Sequence, residues 1–375
     1  MERKLKIASW VLLGLLVLPL FQQLTGLVHE RKLRGAIKVA EQPEFSLRNW
    51  FSGEFQEKAE PAYKDRFGFR NLFVRVNNQV AFSLYRKALA NGVIIGKKNY
   101  MYESNYIHAR NGDDYLGDSL IRENVLKLKG LQDYFEEQGK LFLVTFAAGK
   151  GSFYPEYFPD KYVREPGKTN IQGYKEGFDS CGIRYIDFNQ WFLEMKDTSE
   201  YCLYPRTGVH WSYYGMVLVF DSLVNYIGQE SGREMPMFDW GPIKESRHYQ
   251  SSDKDIEEGM NILFRINYDK LAYPKIGFKD EGIKKMKGVV IADSFYWGLH
   301  NIGFSHRIFD QGEYWFYNKQ IIANHIEGEV MLDDLDRLER LKDVDVIIMM
   351  ATEATMMKFP FGFEDVLNDS TQTLR

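Results

Sequence analysis

Apolar residues fall in one long uninterrupted run near the amino terminus and then in short runs separated by amphipathic stretches. The long run, residues 7–28 (IASWVLLGLLVLPLFQQLTGLV), holds no charged side chain. As a helix it would rise about 33 Å, enough to cross a hydrocarbon core of about 30 Å. No small-residue cleavage pattern or lipobox cysteine follows it, which favours a retained anchor over a cleaved signal peptide. Basic residues flank both ends, Arg3, Lys4 and Lys6 before and Arg31, Lys32 and Arg34 after, so the positive-inside rule is nearly balanced.

Residues 29–91 read as a juxtamembrane connector followed by a helix. FSGEFQEKAEPAYKDRFGFRN is punctuated by Pro61 and Gly68, and VRVNNQVAFSLYRKAL repeats its apolar positions at helical spacing. From residue 92 onward strand and helix patterns alternate. Short strands are expected at 93–95 and 183–187, and buried strands at 140–147, 287–292 and 344–350; helices are expected at 119–138 and 213–227. Continuous Val/Ile/Leu runs separated by helices predict a mainly parallel sheet covered on both faces. Residues 231–285 are more polar and irregular and read as an insertion over that sheet, so residues 92–375 form one α/β domain.

Composition narrows this little. With 45% hydrophobic and 27% charged residues and a formal net charge of −4, the chain is an ordinary globular one, and no basic stripe or RNA motif points to nucleic acid. The 23 tyrosines and 27 phenylalanines suit both sugar stacking and core filling. Cys181 and Cys202 lie outside any metal-ligand spacing, so no metal is expected, and no cofactor is assigned. A disulfide between them is permitted outside the cytoplasm, but spacing does not establish it.

A nucleophilic serine needs a sharp turn after a buried strand, which exposes its hydroxyl and aims backbone N–H groups at an oxyanion. The string GDSL at 117–120 fails this test: NGDDYL before it is too polar for a core strand, and Asp118 or Ser119 reads as a helix N-cap. Ala292-Asp293-Ser294-Phe295 follows GVVIA and leads into a helical stretch, FYWGLHNIG. Taken alone, that pattern fits a capped helix start more readily than a catalytic serine. The hydroxyl also needs a base. Of seven histidines, His210 lies in YPRTGVHWSYYG, on a loop marked by Pro205 and Gly208 with a helix close behind, and Trp211 beside it can limit ring motion. On composition alone a structural histidine is the commoner outcome.

Taken together these segments resemble the alginate O-acetylation proteins of the AlgJ/AlgX type, whose SGNH-like domain carries its motifs in permuted order. In that family a D-x-H-W segment precedes a strand ending in serine. Here TGVHWS (207–212) precedes VVIADSF (289–295). Further similar segments are GEFQEKAEPAYKDRFGFRN, VIIGKKNYMYE, AAGKGSFYPEYFP and SDKDIEEGMNIL. The likeness spans most of residues 50–360, and its strength lies in the order of segments that are individually weak.

What the resemblance implies is an SGNH-like α/β domain behind a single transmembrane helix, with a cytoplasmic tail at 1–6, an anchor at 7–28 in the inner membrane and the main domain in the periplasm. Ser294 would be the nucleophile and His210 its base. The family's triad aspartate is replaced by Gly208, so the acid is unassigned, with Asp293 or a backbone carbonyl as possible substitutes. Lys150 could neutralise an acidic sugar or line an entrance, and Glu353 could form a site wall or a polar sheet end. The implied activity is O-acetyl transfer to an exported polysaccharide, with a membrane-bound O-acyltransferase supplying acetyl groups. A carbohydrate acetylesterase and a non-catalytic glycan-binding component of an export complex are the alternatives.

Overall fold

The computed structural model describes residues 2–35, 38–266 and 269–367. The chain divides into two compact units, one of Met1–Val93 with Ile256–Ile266 and one of Ile94–Asp255 with Asn267–Arg375.

The first unit opens with helix Glu2–Thr25, which is long and apolar enough to cross a membrane. Three helices follow, Leu47–Ser52, Glu54–Arg66 and Arg70–Tyr85. Ser46 caps the first through its side chain, which accepts from the Asn49 N–H at 3.1 Å. Gly53, at φ 84°, ends that helix and begins the next, a left-handed conformation that glycine adopts without strain. Pro61 does not break Glu54–Arg66, unlike the expectation from sequence. Pairs of the i,i+4 kind, Glu54–Lys58 before it and Glu60–Lys64 across it, both at 2.6 Å, support the helix where the proline removes a backbone donor.

The second unit is built on a seven-stranded sheet. Its strands, numbered along the chain, are β3 (Leu141–Ala147), β4 (Tyr185–Asp187), β7 (Gly288–Ala292), β8 (Glu313–Phe316), β9 (Gln320–Ile322), β10 (Val330–Met331) and β11 (Val346–Thr352). The short strands β1 (Val93–Ile95) and β2 (Met101–Glu103) precede them, and β5 (Met237–Ser246) and β6 (Leu271–Lys279) form a separate antiparallel ribbon. The sheet order is β10-β9-β8-β7-β11-β3-β4. Strands β8, β7, β11, β3 and β4 run parallel, and β9 and β10 add antiparallel at one edge.

Every residue of β3, β7 and β11 is buried, which is why these strands read as unbroken apolar runs. Phe142, Val144, Phe146, Ile347 and Met349 face helices Asp118–Glu137 and Asn170–Cys181, which contribute Val125, Leu128, Tyr174 and Phe178 to the same core. Helix Tyr213–Ser231 also packs on β3 and against helix Tyr296–Ile302. The architecture is therefore the expected α/β fold with a mainly parallel central sheet. Residues 231–285 are more ordered than their polarity suggests: the β5–β6 ribbon occupies much of them, and Ile256–Ile266 belongs to the first unit. Cys181 and Cys202 are free thiols, and the Cys202 Sγ–H donates to the Tyr204 carbonyl at 2.7 Å.

Candidate active site

Strand β7 delivers Asp293 and Ser294 to the carboxyl-end edge of the sheet, beside the end of β11. Asp293 is fully buried and both carboxylate oxygens are engaged. Oδ1 accepts from the Phe295 N–H at 3.0 Å, while Oδ2 accepts from the Thr352 N–H at 2.8 Å and the Thr355 hydroxyl at 2.5 Å. The side chain thus ties the ends of two central strands and shapes the turn that holds Ser294 half-exposed. The turn is held from outside as well, because the Tyr314 hydroxyl donates to the Asp293 carbonyl at 2.5 Å. Asp293 is consequently not the acid behind the histidine; it is committed to the turn.

His210 arrives on the loop between residues 202 and 212. Ser212 closes that loop and caps helix Tyr213–Ser231: its N–H donates to the Leu203 carbonyl at 2.8 Å, and its hydroxyl accepts from the Gly215 N–H at 3.1 Å. The imidazole packs on the Phe295 ring, centroid to centroid 4.6 Å, one residue from Ser294. Trp211 is buried and meets Phe295 edge to face at 5.3 Å.

The imidazole is held by a carboxylate that the motif reading missed. His210 Nδ1 lies 2.5 Å from Asp255 Oδ2, and Asp255 Oδ1 accepts from the Val209 N–H at 2.9 Å. The histidine side chain is 21% exposed and the aspartate side chain 29%. Burial pulls the His210 pKa down, but Asp255, with smaller contributions from Asp293 and Glu103, outweighs it and the net shift is upward. With Nδ1 occupied, Nε2 is the ring nitrogen left for a second proton partner.

Gly208 explains why the acid sits elsewhere. A Cβ at that position would come within 2.3 Å of the Ser252 carbonyl oxygen and 2.9 Å of the Asp253 carbonyl carbon. The segment carrying Asp255 runs through the space that any side chain at 208 would need. The Thr207 hydroxyl fastens the two stretches by donating to the Asp253 carbonyl at 3.0 Å. The carboxylate that residue 208 lacks is supplied by the segment that fills its place. The SDKDIEEG stretch is acidic, but nothing local in it indicates that Asp255 turns toward a distant histidine.

Lys150 neither lines an entrance nor meets solvent. It is completely buried, and Nζ donates to the carbonyls of Pro205, Arg206 and Gly208 at 2.8, 3.0 and 2.6 Å. It clamps the loop that presents His210. Burial, partly opposed by the Asp255 charge, brings its pKa down to about 7. Glu353 is also buried, at the end of β11, where Oε1 accepts from the N–H groups of Gly151 and Ser152 at 2.8 and 3.1 Å and Oε2 pairs with the Ser152 hydroxyl. Burial raises its carboxyl to about 7 despite those donors. It touches a polar pocket of about 310 Å³ that also includes Asp114, Lys175, Asp187 and Asn189. Several of those groups already satisfy one another or the backbone: Lys175 pairs with Asp187 at 2.5 Å, and the Asn189 side chain accepts from the Gly149 N–H at 2.9 Å.

Two more residues face the site. Burial, then the Asp293 charge, push the Tyr317 hydroxyl up to about 12, opposed by hydrogen bonding with Ser294. Glu103 feels both Asp255 and His210, and burial raises its carboxyl.

The sheet is mainly parallel, with a serine on the turn after a central strand and a histidine from a separate loop packed on the residue next to it. Residues 93–238 match the family model described as SGNH hydrolase-like domain, acetyltransferase AlgX, so the likeness read from the motifs is met again by the family model. That match includes His210 and stops before Ser294. Among solved structures, the O-acetyltransferase domain of Pseudomonas putida AlgJ is similar at 14% identity and a TM-score of 0.47, over 74% of this chain and 99% of that one. Bacillus cereus PatB1 is similar at 14% identity and a TM-score of 0.39, over 65% of this chain and 93% of that one. Pseudomonas aeruginosa AlgX is similar at 11% identity and a TM-score of 0.42, over 73% and 67%. Among curated proteins nothing matches the chain.

Proposed function

We propose that this chain is a membrane-anchored O-acetyltransferase that moves acetyl groups onto an exported polysaccharide through an acyl-enzyme on Ser294, with His210 as base and Asp255 as its orienting acid. One observation carries the reading: the His210 ring is pinned through Nδ1 by Asp255 and laid over the residue next to the strand-end serine. The family match, which includes the word acetyltransferase in its description, supports the reaction class.

The steps follow from these positions. His210 Nε2 takes the Ser294 proton as Oγ attacks the acetyl carbonyl of the donor, and Asp255 stabilises the resulting imidazolium. The oxyanion is held by the Ser294 N–H, the donor that the turn after the strand supplies. Collapse breaks the bond to the donor's leaving group, which carries away the proton from Nε2 and leaves acetyl-Ser294. A sugar hydroxyl then gives its proton to Nε2, attacks the acetyl carbonyl and releases Ser294, which recovers the proton. An esterase would admit water at that second step. The non-catalytic reading drew on Gly208 as a lost acid, and Asp255 supplies the carboxylate that reading assumed missing.

The expected setting is the inner membrane, with the sheet domain in the periplasm and a membrane-bound O-acyltransferase as acetyl supplier. The test is incubation of the full-length protein with an acetyl-donor ester and polysaccharide acceptors, followed by analysis of glycan-bound and free acetate. Acetylated glycan that disappears in Ser294→Ala and His210→Ala supports the transferase. Free acetate alone would select the esterase, and turnover unaffected by either substitution would remove the proposal.

A further inference from the structure

We infer that helices Glu54–Arg66 and Arg70–Tyr85 form a collar at the membrane interface, with the exposed apolar stripe of the second helix lying in the outer leaflet beside the anchor. This rests on reading Glu2–Thr25 as a membrane span, and it adds a second lipid contact that neither the anchor nor the acetyl-transfer site requires.

The corner between the two helices is docked onto the anchor. The Phe69 N–H donates to the Gln22 side-chain oxygen at 3.2 Å. Gly68 sits so close to the helix that a Cβ there would fall 1.8 Å from the Pro19 carbonyl oxygen, and Pro19 is itself buried. This is a second reason for the glycine that punctuates the sequence: only a residue without a side chain allows the approach. Gln22 lies three residues from the end of helix Glu2–Thr25, about 4–5 Å along its axis. After Lys6 the helix carries an almost unbroken apolar run up to Phe21, and Gln22 and Gln23 then bring the first amide side chains, which marks the approach to the boundary between acyl chains and headgroups. A corner attached at that level has to be interfacial.

The helix that leaves this corner is suited to the same layer. Leu72, Phe73, Val76, Val80 and Leu84 are 41% to 71% exposed, and their spacing places them along one face. Other side chains of this helix are engaged inside the unit. Arg75 donates to the Lys32 carbonyl at 3.0 Å, Asn78 donates to the Met260 carbonyl at 2.7 Å, and Gln79 accepts from the N–H groups of Leu263 and Phe264. The apolar face is therefore outward because the polar side chains are already committed. It continues to Leu84, near the far end of a helix about 24 Å long. A helix rising steeply out of the bilayer would bring only its first turn to lipid; exposure along its whole length fits one lying in the interface plane. Exposed aromatics nearby in the chain, Trp50 and Phe51, are of the type enriched at that boundary.

The test uses the full-length chain in vesicles of phosphatidylcholine and phosphatidylglycerol, with a genetically encoded fluorescent amino acid at one position at a time and doxyl-labelled lipids as quenchers. Position 16 reports the span, positions 80 and 84 the stripe, and position 165 an exposed loop of the sheet domain. Quenching at 80 and 84, stronger with a shallow 5-doxyl than a deep 12-doxyl label and absent at 165, is the expected result. Quenching at 16 without quenching at 80 and 84 overturns the collar while leaving the anchor. Blue-shifted but unquenched emission at 80 and 84 means that protein covers the stripe, which also overturns it. No quenching at 16 removes the span and the collar together, without bearing on acetyl transfer by Ser294.

Discussion

Two Asp-Ser pairs in this chain have almost the same local spelling and opposite surroundings. GDSL at 117–120 opens a surface helix: Ser119 is exposed, and Asp118 is occupied by Lys168 at 2.7 Å and the Tyr115 hydroxyl at 2.5 Å. ADSF at 292–295 ends a fully buried central strand, its aspartate spent on β11 and its serine next to the ring on which His210 packs. The difference teaches that the string carries little chemistry by itself. The strand beneath the serine and the loop brought over it decide whether the hydroxyl can react.

The sharpest way to break the comparison is to remove each hydroxyl. Ser294→Ala is expected to lower acetyl transfer by roughly 10⁴-fold or more, whereas Ser119→Ala should leave it unchanged in the same assay. Equal loss in both would return the site to the surface helix.

Next in size is the carboxylate. Asp255→Asn should reduce kcat/KM by roughly 10³–10⁴-fold, because the amide no longer fixes the imidazole tautomer or stabilises its cation. The same variant should move the acid limb of the pH–rate profile downward. Asp255 is the principal group raising the His210 pKa, and the base works only when neutral. An unmoved limb would mean that another group titrates there. Restoring the family's residue by Gly208→Asp should not rescue Asp255→Asn. It should instead cost about 1–3 kcal/mol of stability by thermal melting, since its Cβ meets the Ser252 carbonyl.

A smaller effect is expected from Tyr317→Phe, about 10²-fold in kcat with little change in KM, if its hydroxyl helps to hold the oxyanion. An unchanged kcat would leave the Ser294 N–H as the donor. The mildest effect falls on stability. Glu353 has its carboxyl raised to about 7, so its protonated form favours the folded state; that contribution is present below about 4.5 and is lost as pH rises through about 7. Glu353→Gln should flatten that segment of the stability–pH curve, which denaturant melts between pH 4.5 and 7.5 can measure.

Much of this is legible in the amino-acid sequence alone. The amino-terminal helix, long and apolar enough to cross a membrane, and the three central strands announce themselves as apolar runs, the strands because they are buried on both sheet faces. Ser294 could be singled out because its strand and turn are contiguous in sequence. Asp255 could not, because its partnership with His210 depends on the close passage of two remote segments at Gly208. Lys150 misled for a different reason. A lysine usually keeps its charge in water, and only the three carbonyls gathered around Nζ explain why this one is inside. The edge strands β9 and β10 were missed because they are short and half-polar.

The most direct measurement is labelling of the full-length protein with a serine-directed fluorophosphonate, followed by peptide mapping in wild type, His210→Ala and Asp255→Asn. A single adduct on Ser294, abolished by the first substitution and strongly slowed by the second, is the expected result. An adduct on Ser119, or labelling of Ser294 at an undiminished rate without His210, would contradict the assembly of base, acid and nucleophile described above.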